Sequence, residues 1–146
     1  MIEPLEFFIP GCPKPQGRPR ATNFGKHARV YSVKTEWRCM CTKVAHDLLK
    51  SQGQYNEAIA VTIEYYFQRP KSHYGTGRNQ DKLKASAPKY HISKPDNDNL
   101  NKAVLDAFGD AGLLKNDSQV VNLISRKVYT SCQQGALVKI ERLGSE

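Results

Sequence analysis

No stretch of the 146-residue chain approaches the ~20 consecutive apolar residues that a bilayer span requires, so no membrane segment is expected. Cysteine is sparse and badly spaced for structural chemistry. Cys12, Cys39, Cys41 and Cys132 include no CxxC pair, and Cys39 and Cys41 lie too close in a helical pattern to bond easily. With no signal peptide ahead of them, they read as reduced thiols of a cytoplasmic protein. No internal repeat is present, which excludes solenoids and propellers. The most informative absence is of acid. Residues 11–34 contain none, and residues 69–94 contain only Asp81. An ordinary solvated loop mixes charges, so both stretches point to a polyanionic partner.

The bulk composition agrees. A formal charge of +8 and a pI near 9.4 fit nucleic acid, and 39% hydrophobic with 25% charged residues fits one globular domain over residues 1–146. Two basic loops at about 11–34 and 69–94 carry 13 of the 22 Lys and Arg residues. The first holds Lys14, Arg18, Arg20, Lys26, Arg29 and Lys34 in a Pro- and Gly-punctuated run that cannot be helical. The second holds Arg69, Lys71, Arg78, Lys82, Lys84, Lys89 and Lys94. Interleaved His73, Tyr74, Tyr90 and His91 are suited to stacking on exposed bases, with the cations along a phosphate backbone.

Between the loops the periodicities are clear. Leu5–Ile9, bounded by prolines, reads as a strand. Ser32 is placed to cap a helix whose stripe is Trp37, Met40, Cys41, Val44, Ala45 and Leu48, with Trp37 a packing anchor and Gly53 the stop. Ala58–Phe67 alternates as a strand with Ile59, Val61, Ile63, Tyr65 and Phe67 on one face. A second helix is expected from Pro95–Asp98, burying Leu100, Ala103, Val104, Ala107, Phe108 and Ala111 and ending at Gly112. Its outward face carries Asp98, Lys102 and Asp106, with Leu105 there marking a subunit contact. Gln119–Tyr129 reads as a strand with Val120, Ile124 and Val128 on one face, and Ala136–Leu143 as the last.

The chemistry gathers at Lys94-Pro-Asp-Asn-Asp-Asn-Leu-Asn-Lys102. Close carboxylates repel, so Asp96 and Asp98 imply a neutralising cation. Asp117 sits at a helix-to-strand junction and joins them only if the strand starts near their end of the helix. Three carboxylates would suit Mg2+, with Mn2+ as the variant, in phosphodiester hydrolysis, and Lys102 would stabilise phosphate charge. Each residue also has a plainer reading: Asp96 as a helix cap, Asp98 with Lys102 as an i, i+4 pair, Asp117 as a turn residue. An EF-hand is excluded, because Asn101 stands where its glycine belongs and Ala107 where its glutamate belongs.

The run Asp96-Asn-Asp-Asn-Leu-Asn-Lys-Ala-Val-Leu-Asp-Ala107, then Asn116-Asp-Ser-Gln-Val120 and Lys127, resembles the signature of the RusA family of Holliday junction resolvases. That signature is D-x-D-N-L-x-K-x-x-x-D-A, a spacer, D-D-x-Q-V and a later lysine. The opening Gly11-x-Pro-x-Pro-Gln-Gly-Arg-Pro-Arg20 is similar to phage and prophage members. The resemblance implies an α+β fold, a small mixed sheet of about four strands with two helices, working as a homodimer. It implies that Asp96, Asp98 and Asp117 bind metal and catalyse with Lys102, and that the activity is paired nicking of four-way junctions during recombination and repair. Asn116 departs from the usual first acid of the D-D pair, which is expected to alter metal affinity. Asn97 departs from the usual apolar residue. Two other functions fit the residues: a non-catalytic branched-DNA-binding protein, and a nuclease of broader flap or branched-duplex preference.

Overall fold

The computed structural model describes residues 3–16, 19–24, 27–32 and 35–144, with 19–24 and 27–32 described in backbone only. The expected α+β architecture is present. Strands β1 (Leu5–Pro10), β4 (Ile59–Gln68), β5 (Val120–Thr130) and β6 (Gly135–Arg142) form one sheet in the order β1-β6-β4-β5. β1–β6 and β6–β4 are antiparallel and β4–β5 is parallel, so the sheet is mixed. Helices α1 (Glu36–Gln52) and α2 (Asn97–Ala111) complete the domain. Strands β2 (Pro19–Phe24) and β3 (His27–Ser32) form a separate antiparallel pair.

β4 is one of the two inner strands, and its alternation sets which face is buried. Ile59, Val61, Ile63, Tyr65 and Phe67 are all buried, and β4 has a partner on each side. The helix stripes close over this face. Trp37, Cys41 and Ala45 of α1 are buried, as are Leu100, Ala103, Val104, Ala107, Phe108 and Ala111 of α2. Each large apolar side chain so buried contributes about 1.5–3 kcal/mol, and Phe108→Ala would cost about 3–5 kcal/mol. Gly112 ends α2 at φ 84°, where a Cβ would strain, while Leu113 N–H donates to Phe108 O at 3.0 Å. At Gly135 close approach sets the requirement, since a Cβ would collide with the Ile9 carbonyl and the Phe8 ring.

Three expectations are corrected. The basic stretch 11–34 is not loop throughout, because residues 19–32 contain the β2–β3 pair. Ser32 therefore ends a strand, and Thr35 caps α1, its Oγ1 accepting from Arg38 N–H at 3.1 Å. The face of β5 also breaks. Ile59 pairs with Val120 but Ala60 with Asn122, so Val121 is an extra residue in a bulge. Val120 thus faces the helices, whereas Ile124 and Val128 face the opposite side.

The loop from 69 to 94 holds two short 3-10 turns and is tied to β5. Its Lys89–His91 segment runs along the outer edge of that strand: Tyr129 N–H donates to Lys89 O at 2.9 Å and His91 N–H to Lys127 O at 3.1 Å. Most of the expected stacking residues are consumed here. His91 stacks on Phe67 at 4.1 Å, His73 meets the Tyr129 edge at 4.7 Å, and Tyr74 shares a hydrogen bond with Ser131. Arg69 donates to Pro88 O at 2.7 Å and lies over Tyr129. Tyr90 stays exposed, with Lys89 Nζ 5.4 Å from its ring centre. A loop this long needs side-chain anchors to hold one shape, and its aromatics supply them.

Candidate functional site

Helix α2 begins two residues after Pro95, with Asp96 at its cap and Asp98 in its first turn. Asp96 occupies the cap position with extended backbone, yet its side chain makes no capping hydrogen bond. Asp98 lies in the first turn, where the helix dipole favours negative charge. Both are exposed, and among the described residues neither carboxylate joins an ion pair or a side-chain hydrogen bond. Asp96 and Asn99 form part of the wall of a cleft of about 640 Å³ that Lys14, Pro15, Gln16, Thr35, Lys94 and Pro95 complete. Two exposed lysines from separate segments thus flank an uncommitted carboxylate. Lys102 is exposed one turn beyond Asp98.

The approach to this helix is fixed by Lys127. Its Nζ donates to Ser93 O at 2.7 Å and to Pro95 O at 2.8 Å, so β5 holds the backbone immediately ahead of Asp96. Farther along, Tyr65 OH donates to Asn101 Oδ1 at 2.8 Å and Asn101 Nδ2 donates to Ser125 Oγ at 2.9 Å. That chain locks α2 over β4 and β5. Tyr65 and Asn101 are buried and half-buried, so losing one partner strands the other.

The other end of α2 is different. Asp117 lies in a short turn before β5 and shares a depression of about 340 Å³ with Leu105, Asp106, Gly109, Asp110, Lys115, Asn116 and Arg38. Asp117 is therefore beside the last turns of α2, roughly 12–18 Å along the axis from Asp98 at 1.5 Å per residue. The condition for Asp117 to join Asp96 and Asp98 within one chain is not met. Among the described residues no three acidic, His or Cys side chains are gathered as a metal cage.

Asn116 has a structural role at this turn. Its Oδ1 accepts from Ser118 N–H at 3.0 Å, Asn116 N–H donates to Gln119 Oε1 at 2.8 Å, and Gln119 Nε2 donates to Tyr55 O and Glu57 O. An aspartate could cap in the same way, so the turn is kept and one negative charge is lost.

Arg38 is the functional-looking residue that the sequence pattern hid. It is the buried charged side chain of the described core, ion-paired with Asp110, and it contacts the acidic depression from α1. Gln16 lies between the two regions; with its amide oriented to suit both neighbours, its nitrogen donates to Asp106 Oδ2 at 2.6 Å and its oxygen accepts from Arg38 Nη1 at 3.0 Å. Arg38 occupies a polar position of the α1 pattern, so periodicity alone marks it as solvated.

Of the proposed DNA contacts, Lys14, Lys71, Arg78, Lys82, Lys84, Lys89 and Lys94 are exposed, while Arg69 is half-buried in its loop contacts. Arg18, Lys26 and Lys34 lie outside the described residues, as do the side chains of Arg20 and Arg29. On the outer face of the sheet, burial raises the Glu64 carboxyl, but hydrogen bonds from Tyr66 and Arg126 outweigh it and hold Glu64 below its usual range.

Fold and site together define a basic α+β domain with paired carboxylates at a lysine-lined helix start. The chain belongs to the RusA family, described as Endodeoxyribonuclease RusA, which matches residues 10–141. It is thus a member of a family of DNA-cleaving enzymes. No curated protein sequence matches the chain directly. No helix among the described residues is long and apolar enough to cross a membrane.

Proposed function

We propose that the protein is a magnesium-dependent endodeoxyribonuclease that acts as a homodimer and resolves four-way DNA junctions by paired nicks. The observation that supports this most directly is the Asp96 carboxylate, uncapped and unpaired at the wall of a cleft bordered by Lys14 and Lys94. Asp96 and Asp98 suit a hard cation such as Mg2+, which is often bound by one or two carboxylates together with substrate phosphate oxygens. A bound magnesium ion supplies Lewis-acid chemistry for phosphodiester hydrolysis.

The chain's own residues do the rest. Lys14 and Lys94 attract the phosphate backbone to the cleft, and the exposed loop lysines extend that attraction. Lys102 stabilises negative charge that develops on the scissile phosphate. Lys127 keeps the Asp96 backbone from shifting as substrate enters, which preserves the orientation that hydrolysis needs. A two-fold protein also matches the symmetry of paired cuts in a branched duplex.

The separation of Asp117 from Asp96 and Asp98 is consistent with a site shared between subunits, in which Asp117 of the partner subunit completes each pair. Mixed dimers test this. A subunit with Asp96→Asn paired with one bearing Asp117→Asn has one fully intact shared site and one doubly damaged site. The expected result is restored single-strand nicking of a labelled four-way junction in Mg2+, although either homodimer is inactive. No nicking by the mixed dimer, with wild-type protein active, would place all three acids of a site on one chain.

A second reading is a branched-DNA-binding protein without cleavage, supported by the lack of a three-acid cage within the described chain. Junction binding with no cuts in Mg2+ or Mn2+ by the wild type would favour it.

A further inference from the structure

We infer that Gln16 and Arg38 are positioning residues that hold residues 12–16 against α2, so that Lys14 borders the Asp96 cleft. The task given to Lys14, gripping a phosphate of the DNA backbone, rests on the nuclease reading above. The anchoring itself rests on contacts that are independent of it.

Residues 12–16 have little else to hold them. β1 ends at Pro10, and the backbone bond that follows runs from Gly11 N–H to Gln134 O at 3.2 Å. Among the described residues, no backbone-to-backbone hydrogen bond involves residues 12–16. Pro13 and Pro15 have no N–H to give. Pro13 is buried, whereas Cys12 and Lys14 are exposed and Pro15 and Gln16 half-buried. Side chains must therefore fix this stretch, and Gln16 supplies the polar contacts.

Gln16 meets groups from both helices. With its amide nitrogen towards α2 it donates to Asp106 Oδ2 at 2.6 Å, and its oxygen accepts from Arg38 Nη1 at 3.0 Å. Arg38 Nη2 donates to Asp110, so one guanidinium serves Gln16 and α2 at once. Arg38 is 8% exposed, and its backbone is fixed by the Thr35 cap. A planar fork with two nitrogens engaged keeps its orientation, which a flexible ammonium does not reproduce. Gln16 lines the cleft that contains Asp96, while Arg38 and Asp106 line the depression that contains Asp117. The anchor lies between the two, and its partners are Asp106 and Asp110 rather than Asp96, Asp98 or Asp117.

What the anchor decides is the direction of Lys14. This lysine lines both the Asp96 cleft and a smaller cavity of about 140 Å³ whose walls include Glu36, Trp37 and Met40. The Glu36 carboxylate makes the smaller cavity the electrostatic alternative for the ammonium. A segment released from α2 lets Lys14 turn towards Glu36 and away from substrate. A held segment keeps the cation where phosphate arrives, and less ordering is then needed on binding.

The first arm of the test uses neither DNA nor metal, so it reads the anchor even in a protein that cuts nothing. Amide relaxation is measured by NMR on wild type and on Gln16→Met, which keeps the side-chain length and removes both polar contacts. The heteronuclear NOE of the Lys14 amide is expected to fall, with the amides of α1 and α2 unchanged. The second arm is a double-mutant cycle in four-way-junction binding, run with EDTA so that no strand is cut. Lys14→Gln and Gln16→Met are each expected to weaken binding about fivefold and to lower the salt slope by about 1, the value of one phosphate contact. The double variant should match Lys14→Gln alone, because a neutral side chain gains nothing from being placed. A Lys14 amide equally rigid in Gln16→Met, or losses that multiply to about twenty-five-fold in the double variant, would overturn the proposal. Wild-type protein that failed to bind the junction would count against the nuclease reading, and the first arm would still decide the anchoring.

Discussion

The two ends of α2 are opposites in charge and in how that charge is supported. At the first turn Asp98 lies where the dipole welcomes an anion, and Lys14 and Lys94 stand across the neighbouring cleft. At the last turn no basic residue of the helix faces the dipole's negative end, and Asp110 sits there against it. Arg38 of α1 offsets that arrangement by ion pairing. One end is thus self-consistent and open to a partner anion. The other is acidic by construction and depends on a second helix. A single helix thus carries two unlike ends, one open to an anion and one acidic.

Substitutions at the two ends should separate these roles. The largest effect is expected at Asp96, where Asp96→Asn should lower junction nicking by about a thousandfold or more while junction binding persists, and EDTA should do the same to wild type. Gel assays of binding and of cutting, run side by side, check it; wild-type rates in the variant would remove Asp96 from the chemistry. At the acidic end, Arg38→Met should cost about 2–3 kcal/mol in urea unfolding, because Asp110 loses its cation and a buried position loses its partners. An unchanged midpoint would mean that Asp110 is fully served by solvent.

Lys127→Met probes how the first end is held. Nicking is expected to fall about tenfold through kcat rather than KM, with faster amide exchange around His91, since the clamp orients Asp96 without touching substrate. Replacing Lys82, Lys84 and Lys89 together by glutamine should flatten the dependence of log binding on log salt by up to about 2–3, near 0.9 for each phosphate no longer neutralised. An identical slope would put this loop away from DNA.

The smallest effect is in pH. Burial, then nearby Lys127, holds the His91 imidazole below its ordinary range. The unfolded chain therefore binds the proton first, so stability is full above about pH 6.5 and declines as pH falls towards the lowered folded value. His91→Phe should flatten that decline in thermal melts taken across this window.

Much of the frame was legible because periodicity reports burial. The α2 stripe and the β4 alternation name the buried residues of those elements correctly, and Gly53 and Gly112 stop both helices as expected. What periodicity cannot report is a single inserted residue. The Val121 bulge reverses the faces of β5 beyond it, and no side-chain pattern distinguishes that from a straight strand. Composition likewise cannot distinguish an aromatic that awaits a base from one that anchors a loop. His91 is taken up by Phe67 and Tyr129 and His73 by Tyr129, each partner well removed from it in sequence. At the site, motif spacing singled out the residues but not their separation, because the direction of β5 relative to α2 is a property of topology. The same holds for Arg38, whose partner is 72 positions away.

The parallel union of β4 and β5 also bears on the order in which the chain gains its shape. Ile59 and Val120 are neighbours in the sheet, but the whole basic loop and α2 lie between them in sequence. Closing so long an excursion costs chain entropy before any contact repays it. The β4–β6 pairing faces a longer span and β1–β6, joining the two ends of the sheet's chain, a longer one still, so no strand pairing in this sheet is local. Helices α1 and α2 can form early from near contacts, whereas the sheet must wait for distant segments to meet. Refolding should accordingly be slow for a chain of this size, with helical signal ahead of sheet closure.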